Sequence, residues 1–211
     1  MQPSNIAIKD YTYTLPNERI ARYPLERRDE SKLLVYNQGV ISQNIFYHLS
    51  DFIPPNGLFV VNNTKVVQAR LLFKKETGAL IEIFCLEPLD GTFETIFSKT
   101  QSCRWKCIVG NLKRWKDGSL VLTNNELSLT ATKINDHADW QEIEFSWTPD
   151  STCFSEILNT FGHIPIPPYL GRDDEDIDKS RYQTIFSAQR FRSCPHCWFA
   201  YYSCCYRKAR D

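Results

Sequence analysis

The sequence has no stretch that predicts export or insertion into a membrane. No apolar run approaches the roughly 18 residues that a membrane-spanning helix requires, so we expect no membrane partner. The start, MQPSNIAIKDYTYTLPNERIARYP, lacks a basic segment followed by an apolar one, and this excludes a secretory signal. Net charge is absent as well, because 25 basic and 25 acidic residues balance. A nucleic-acid partner would therefore have to meet a local basic patch.

Cysteine is sparse through most of the chain and shows no paired spacing there. Cys85, Cys103, Cys107 and Cys153 are scattered singles, which is typical of proteins in a reducing compartment. The sequence therefore predicts a cytoplasmic protein. With 211 residues, 42% of them hydrophobic and 24% charged, the chain is long enough for one large domain or two small ones.

The first 70 residues mix strand and helix signals. SKLLVYN (31–37) and GLFVVNNT (57–64) are short apolar runs that end in polar turn residues, as buried strands do. Between them, NIFYHLSDF predicts a helix that Pro54 and Pro55 end. These signals together predict a βαβ-type unit.

Residues 71–147 have a different pattern, with short alternating strands separated by turns. The predicted strands are LIEIFCLEP, TFETIFSKT, CRWKCIVG, SLVLT, ELSLTATKI and WQEIEFSW. They predict a small antiparallel barrel or sandwich. The helical pattern returns in STCFSEILNTFG, where Ser151 or Thr152 could cap a helix that Gly162 ends. Its predicted core face is Phe154, Ile157, Leu158 and Phe161.

This change of pattern predicts a β-barrel inserted into an α/β domain. The predicted divisions are residues 1–70 for the first part of the α/β domain and 71–150 for the inserted barrel. Residues 151–188 continue the α/β domain, and 189–211 form an aberrant tail.

Two segments carry candidate site residues. Asn62, Asn63 and Thr64 follow a predicted buried strand, where α/β folds place ligands, and they supply both donors and acceptors. The alternative is a turn that uses asparagine for its backbone geometry.

The second segment, GHIPIPPYLGR, is stiffened by three prolines and would hold His163, Tyr169 and Arg172 in fixed positions. The alternative is a structural connection in which the histidine is a neutral, hydrogen-bonded imidazole. The following acidic run, RDDEDIDKSR, predicts a solvated helix start.

Several motifs occur together in one order and spacing. These are YTYTLPNERIARYPLERRDESKLLVYN, LFVVNNTKVVQARL, IEIFCLEP, WKCIVGNLKRWK and GHIPIPPYLGR…DIDKSRYQTIFS. On these motifs the chain resembles the S-adenosylmethionine:tRNA ribosyltransferase-isomerases of queuosine synthesis, from about residue 10 to residue 188. The resemblance implies an α/β fold, here an incomplete α/β barrel-like domain with an inserted small antiparallel β-barrel.

The resemblance also implies a reaction. The ribosyl moiety of S-adenosylmethionine would pass to a 7-aminomethyl-7-deazaguanine in tRNA, giving epoxyqueuosine while adenine and methionine leave. S-adenosylmethionine is then a substrate, and no cofactor is expected. The expected partners are this tRNA and S-adenosylmethionine, bound by a monomer.

The implied site residues follow from the same motifs. His163, Tyr169 and Arg172 are the expected catalytic residues, with His163 as the acid or base because imidazole titrates near neutral pH. Tyr169 and Tyr182 could face the sulfonium through cation–π attraction. The expected substrate-binding residues are Asn62, Asn63, Thr64, Arg70, Tyr182 and Gln183.

Basic clusters offer contacts for the phosphates of tRNA. They are Arg27-Arg28, Lys74-Lys75 and Lys113-Arg114-Lys116. The alternative is that these side chains only keep the surface soluble.

The tail departs from the family pattern after YQTIFSAQ. If it is read one base out of frame, Arg190 to Tyr202 can become Gly-Ser-Val-Ala-Ala-Pro-Thr-Ala-Gly-Leu-His-Ile-Thr, the type of segment found in the family. We interpret the tail as a frameshift product and expect the chain to be an inactive fragment. On this interpretation Cys194-Pro-His-Cys197 is an accident, although its spacing also suits a zinc or redox site. A third possibility is a β-barrel module that binds RNA or a protein partner without catalysis.

Overall fold

The computed structural model describes residues 7–124 and 126–187 of the chain. The strands are β1 (Lys32–Asn37), β2 (Val40–Ile45), β3 (Arg70–Lys74), β4 (Leu80–Pro88), β5 (Ser102–Gly110), β6 (Leu120–Thr123), β7 (Ser128–Asp136), β8 (Gln141–Thr148) and β9 (Gly162–His163). The α-helices are α1 (Phe93–Phe97), α2 (Phe154–Phe161) and α3 (Asp176–Arg181). Short 3-10 helices span Ile8–Tyr11, Asn17–Arg19, Arg28–Glu30, Phe46–Phe52, Leu112–Arg114 and Pro168–Leu170. In the described part of the chain, none of the helices could span a bilayer.

Seven strands form one antiparallel sheet, and β1 and β2 form a separate hairpin. The order in the sheet is β6-β7-β8-β5-β4-β3-β9. The sheet curls, so that β6 at one edge comes into contact with β3 near the other edge. With the helices, this gives a mixed α/β structure built around a curled antiparallel sheet, which confirms the broad class that the sequence predicts.

Alternating side chains produce the core of this sheet. On β4, Ile81, Ile83 and Cys85 are completely buried, and the residues between them are partly exposed. The neighbouring strand β5 repeats the pattern, with Cys107 opposite Cys85 in the register. The prediction of five strands, β4 to β8, from this alternation is confirmed.

The prediction of a strand at TFETIFSKT is wrong, because these residues form α1. Thr92 caps the helix by accepting a hydrogen bond from the backbone N–H of Thr95. The Thr95 hydroxyl in turn accepts from the N–H of Thr92 at 3.0 Å. This reciprocal cap starts a helical turn that buries Ile96 and Phe97 in the core.

Helix α2 packs its apolar side chains against the core of the sheet. The ring of Phe154 lies 5.5 Å from Trp105 and 5.4 Å from Trp147, measured between centroids. Ile157 and Leu158 are buried beside it, and Phe161 packs against the same core, so the predicted apolar face is confirmed. The predicted caps Ser151 and Thr152 are wrong by one or two positions.

The cap of α2 is Cys153, whose N–H donates to the Glu156 carboxylate. At the other end, Gly162 allows α2 to lie directly against the chain at Gln68. A Cβ on Gly162 would lie 2.1 Å from the Gln68 carbonyl oxygen and 2.4 Å from that of Leu158. With only hydrogen at this position, β9 can pair with the end of β3.

The first 70 residues differ from their predicted arrangement. β1 is confirmed, but it pairs antiparallel with β2, and residues 57–64 form no strand in the described structure. Leu58 and Val60 in that segment are 90% and 89% exposed. A strand is stable only when it is paired and covered, so the predicted βαβ-type unit is wrong for this structure.

Candidate functional site

The two segments that flank the large sheet meet each other on one side of the molecule. We call this contact the junction; it comprises residues 22–31 and 62–70 on one side and 162–187 on the other. Arg28 donates from Nη1 to the carbonyl of Gln183 and from Nη2 to that of Ser180, both at 2.7 Å. These hydrogen bonds join the N-terminal flank of the sheet to the C-terminal flank.

Gln183 and Thr184 bind the segment that contains the predicted asparagines. The Gln183 amide accepts from the N–H of Val66 and donates to its carbonyl, with both distances 2.9 Å. The Thr184 hydroxyl donates to the carbonyl of Asn62 at 2.9 Å. The oxygen and the nitrogen of the Gln183 amide therefore both bind backbone groups. This gives Gln183 a structural role beside its predicted role in substrate binding.

The asparagine segment itself forms a local turn. The Asn62 side-chain oxygen accepts from the N–H of Thr64 at 2.9 Å. This is the turn geometry that the sequence left open as the alternative. Asn63 between them is exposed.

His163 and Asp174 form a histidine–carboxylate pair at the junction. The Nδ1 atom of His163 lies 2.9 Å from one carboxylate oxygen of Asp174. The other oxygen accepts from the N–H of Ile164 at 3.1 Å, which fixes the carboxylate. The Asp174 side chain is 9% exposed and that of His163 is 41% exposed.

This arrangement decides which ring nitrogen is basic. An ionised carboxylate only accepts hydrogen bonds, so Nδ1 of His163 carries the proton in the pair. The other nitrogen, Nε2, is then the basic one in a neutral ring. A partly exposed imidazole that is oriented by a buried carboxylate can take a proton from a ligand and return it to a leaving group.

The proline-rich segment after His163 alternates between core and surface. Ile164 and Ile166 are buried, and the 3-10 helix Pro168–Leu170 then places Tyr169 at the surface, 60% exposed. Gly171 ends this helix in the left-handed conformation with φ of 61°. The buried isoleucines therefore anchor the segment in the core, and Tyr169 is accessible to a ligand.

Arg172 is held by protein groups. It forms a two-pronged ion pair with Asp178 at 2.7 and 2.8 Å and donates from Nε to the carbonyl of Arg22 at 2.9 Å. Its guanidinium also lies 4.5 Å from the ring centre of Tyr23. The hydrogen bond from Arg172 lowers the pKa of the Asp178 carboxyl, and the same bond raises the pKa of Arg172. These contacts favour a positioning role over direct contact with substrate.

Arg70 and Tyr182 occupy other parts of the junction. Arg70 lies opposite His163 in the β3–β9 register. Its guanidinium is ion-paired with Glu82, with Nε 2.6 Å from the carboxylate. Tyr182 ends α3, and its N–H donates to the carbonyl of Asp178 at 2.8 Å.

Three residues that sequence reasoning missed carry this geometry. They are Glu82, Asp174 and Asp178. Arg28, which the sequence assigned to a basic cluster for tRNA phosphates, donates to backbone carbonyls of the C-terminal flank. The run RDDEDIDKSR does begin a helix, but the prediction that it is solvated is wrong for Asp178, which is buried. The sequence offers no helical spacing signal for this pair, because Arg172 lies before α3 and six positions separate it from Asp178.

The described residues contain no group of three or more His, Cys, Asp or Glu side chains that could hold a metal ion. The predicted Cys194-Pro-His-Cys197 feature lies outside those residues. Burial raises the pKa of the Cys103 and Cys107 thiols in the core of the sheet, so these cysteines are poor nucleophiles.

Comparison with known proteins identifies the family of the chain. Residues 8–194 match the family described as queuosine biosynthesis protein. The chain belongs to this family. The S-adenosylmethionine:tRNA ribosyltransferase-isomerase of Trichlorobacter lovleyi is 34% identical over 184 residues, which are 86% of this chain and 50% of that protein. The enzyme of the same name from Sulfurihydrogenibium sp. is 33% identical over 183 residues, 85% of this chain and 49% of that protein.

The chain thus spans about half the length of the curated queuosine-synthesis relatives that it matches. A third relative of the same name, from Pelobacter propionicus, is 34% identical over 182 residues, which are 85% of this chain and 49% of that protein. No solved structure matches the chain. The family resemblance that the sequence motifs carry is confirmed.

Proposed function

We propose that the chain carries about half of an S-adenosylmethionine:tRNA ribosyltransferase-isomerase. The complete enzyme would move the ribosyl moiety of S-adenosylmethionine onto 7-aminomethyl-7-deazaguanine in tRNA and form epoxyqueuosine. Membership of the queuosine biosynthesis family supports the reaction. The observation that carries the proposal in this chain is the pair of His163 with Asp174, whose side chain is 9% exposed.

In this proposal His163 acts as the base. Ribosyl transfer requires removal of a proton from the carbon next to the sulfonium and delivery of a proton to the departing adenine. Nε2 of His163 can do both in turn, because Asp174 stabilises the imidazolium that forms in between. A positioned base of this kind contributes on the order of 100-fold or more to the rate.

The other site residues would bind and orient. Exposed Tyr169, with Tyr182, would face the sulfonium through the aromatic ring. Asn62, Asn63 and Thr64 would bind the ribose, and Gln183 would position their segment through Val66. Arg70 would meet the carboxylate of the methionine moiety, although that carboxylate would have to share the guanidinium with Glu82.

Arg172 takes a positioning role in this proposal. Through Asp178 and the carbonyl of Arg22 it joins α3 to the N-terminal flank. That contact fixes the loop 172–175, which contains Asp174. Arg172 would thus act on the reaction through the orientation of Asp174 and His163.

We also propose the domain division and the surroundings of the chain. Residues 71–150 would be an inserted β-barrel domain, and 1–70 with 151–188 would belong to an α/β domain that the rest of a complete enzyme finishes. The hairpin β1–β2 supports this division. It exposes a set of large apolar side chains, namely Leu34, Tyr36, Val40 and Ile41. Such a surface is typical of one that another part of a protein covers. A cytoplasmic monomer is the expected context.

The test uses the product that the frameshift interpretation of the tail predicts when the reading frame is restored at codon 190. Adenine release from S-adenosylmethionine is measured with tRNA that bears the 7-deazaguanine precursor. His163→Asn and Asp174→Asn should each lower the rate about 100-fold or more. In Asp174→Asn the amide would donate to Nδ1 and leave the proton on Nε2, which removes the base.

A matched control is available in the same chain. His48 and Asp51 form another histidine–carboxylate contact, 3.4 Å long and exposed on the 3-10 helix Phe46–Phe52. His48→Asn should leave the rate unchanged. Full activity of His163→Asn would remove His163 from the mechanism, and equal losses in both histidine variants would point to damaged folding.

A further inference from the structure

Most basic side chains from Arg70 to Ser187 are matched by an acid in the structure. Those in ion pairs are Arg70, Lys99, Arg104, Lys106, Lys133, Arg172 and Lys179. Arg181 donates to the carbonyls of Glu26 and Leu25 instead. Apart from Arg181, the basic residues outside any ion pair in the described part of this range are Lys74, Lys75, Lys113, Arg114 and Lys116.

Four of these five unpaired cations line one concave surface. It has a volume of about 590 Å³ and lies at the end of the sheet where β3 turns into β4. Its lining comprises Lys75, Thr77, Ala79, Lys113, Arg114, Lys116 and Asp117. We call it the basic concavity. Its side chains come from two segments that are about forty positions apart, so the fold gathers them.

The loop that carries three of the cations is anchored in the core. Trp115 is fully buried, and its Nε1–H donates to the carbonyl of Gly118 at 2.9 Å. Lys113, Arg114 and Lys116 flank this anchor and are all exposed. A buried tryptophan between exposed cations holds their backbone at one place on the surface.

A second anchor ties the two segments together. The Lys75 ammonium donates to the carbonyl of Arg114 at 3.2 Å. The Asn111 amide donates to the carbonyl of Leu80 at 3.0 Å, which attaches the start of the loop to β4. Specific contacts therefore build the concavity and hold together the two backbone segments that carry its cations.

We propose that the basic concavity binds the phosphodiester backbone of RNA. Several unpaired cations gathered in one concavity attract a polyanion, and binding gains free energy from the release of the condensed counterions of that polyanion. The lining contains only Ala79 as an apolar side chain, so the charge supplies the binding. The choice of RNA over another polyanion rests on the proposed function, in which tRNA is the acceptor.

The test is binding of a fluorescein-labelled, unmodified tRNA transcript to the 211-residue chain, without S-adenosylmethionine. Anisotropy titrations between about 50 and 200 mM salt give the affinity and its salt dependence. The triple variant Lys113→Ala, Arg114→Ala, Lys116→Ala should weaken binding at least about tenfold. Its slope of log affinity against log salt should be smaller by about three.

The matched control removes the same charge elsewhere. The triple variant Lys106→Ala, Lys133→Ala, Lys179→Ala loses three cations that are already ion-paired. It should bind tRNA within about twofold of the unsubstituted chain, since paired cations release few counterions. Equal weakening in both triple variants would overturn the proposal, because bulk charge would then explain binding.

A variant that is expected to bind tRNA more tightly gives an independent test, because damaged folding cannot produce a gain of affinity. Asp117 is the acid in the concavity, and Asp117→Asn should tighten tRNA binding about two- to fivefold. Unchanged or weaker binding by Asp117→Asn would overturn the proposal. So would displacement of tRNA by polyglutamate at the same charge concentration as effectively as by unlabelled tRNA, which would assign the concavity to acidic proteins.

The result is separate from the reaction. No turnover enters the binding measurement, so a chain that binds tRNA through the concavity supports this inference even if adenine release is never found. A chain that binds no tRNA overturns the inference, and the adenine-release test of the proposed function can still succeed.

Discussion

The side-chain amide of Gln183 binds both backbone polar groups of Val66, 117 positions earlier in the chain. The two hydrogen bonds join the segments that enter and leave the large sheet. They form next to the contact between Thr184 and Asn62, and they hold the predicted ligand-binding turn against the C-terminal flank. The stability of the junction and the geometry of the proposed site therefore depend on the same contacts.

Gln183→Ala should reduce the free energy of unfolding by about 1–3 kcal/mol, because two hydrogen bonds are lost and partly buried backbone groups lose their partners. Urea denaturation followed by circular dichroism measures the change. Gln43→Ala, on the exposed face of β2, is the control and should have little effect. Equal stability of both variants would show that the amide contact contributes nothing to the junction.

Asp178→Asn tests the ion pair with Arg172. Breaking a buried pair on one side costs about 3 kcal/mol, so the variant should unfold at clearly lower urea concentration at pH 7. Asp176→Asn, two residues earlier in an exposed pair with Lys179, should change the unfolding midpoint little. A reversed order of the two effects would contradict the buried pair.

The same pair predicts the pH dependence of stability. The pKa of Asp178 is lowered in the folded chain, so the unfolded chain takes up the proton at a higher pH. The contribution of the pair is therefore complete above the ordinary aspartate value of about 4, and it is lost as the pH falls through the lower folded value. The stability gap between the unsubstituted chain and Asp178→Asn should shrink as the pH falls below about 4. A gap that stays constant down to pH 3 would exclude a lowered pKa.

Gly162→Ala should be strongly destabilising. A Cβ at this position would lie 2.1 and 2.4 Å from two carbonyl oxygens, which is much closer than van der Waals contact allows. Both oxygens belong to the backbone, so neither can move aside as a flexible side chain could. We expect a loss of about 2 kcal/mol or more in the free energy of unfolding, in the upper part of the usual range for single substitutions. Gly118→Ala is the comparison, since a Cβ there meets nothing within 4 Å and only its positive φ of 80° causes strain. A smaller loss for Gly162→Ala than for Gly118→Ala would mean that α2 and β3 can separate at little cost.

The core cysteines should resist alkylation in the native chain. Burial raises the pKa of Cys103 and Cys107, so few thiolates are available at pH 8, whereas Cys153 is only partly buried. Iodoacetamide labelling followed by peptide mass spectrometry should show Cys153 reacting at least about tenfold faster. Equal labelling of all three would mean that the sheet opens on the timescale of the reaction.

Local pattern predicted five of the seven strands of the large sheet, β4 to β8, because their most buried side chains largely alternate with less buried ones. It did not predict β3 and β9. Ile81, Ile83 and Cys85 show the period of two that burial of one face requires. TFETIFSKT was misassigned because its β-branched and aromatic residues favour a strand, whereas the reciprocal cap of Thr92 and Thr95 and the tertiary core favour a helix. The apolar run 57–64 gave a strand signal, but its residues pair with no strand in the described structure.

The sequence predicted the residues of the candidate site, but it did not predict which side chains they contact. The proline-rich motif identified His163, and the family resemblance supports its position. Asp174 could not be found in the same way, because it lies in an acidic run that has the composition of an exposed surface. Its partner is eleven positions away across a turn, and only the fold brings the carboxylate to the imidazole.

The most direct test compares adenine release by two proteins made from the same gene. One is the 211-residue chain, and the other is the product with the frame restored at codon 190. Both are incubated with S-adenosylmethionine and precursor-bearing tRNA, and free adenine is measured. Catalysis needs both substrates held by rigid groups on all sides, so we expect no adenine above background from the 211-residue chain and clear turnover from the restored protein. Turnover by the 211-residue chain alone, or none by the restored protein, would contradict the proposal that this chain carries about half of the active enzyme.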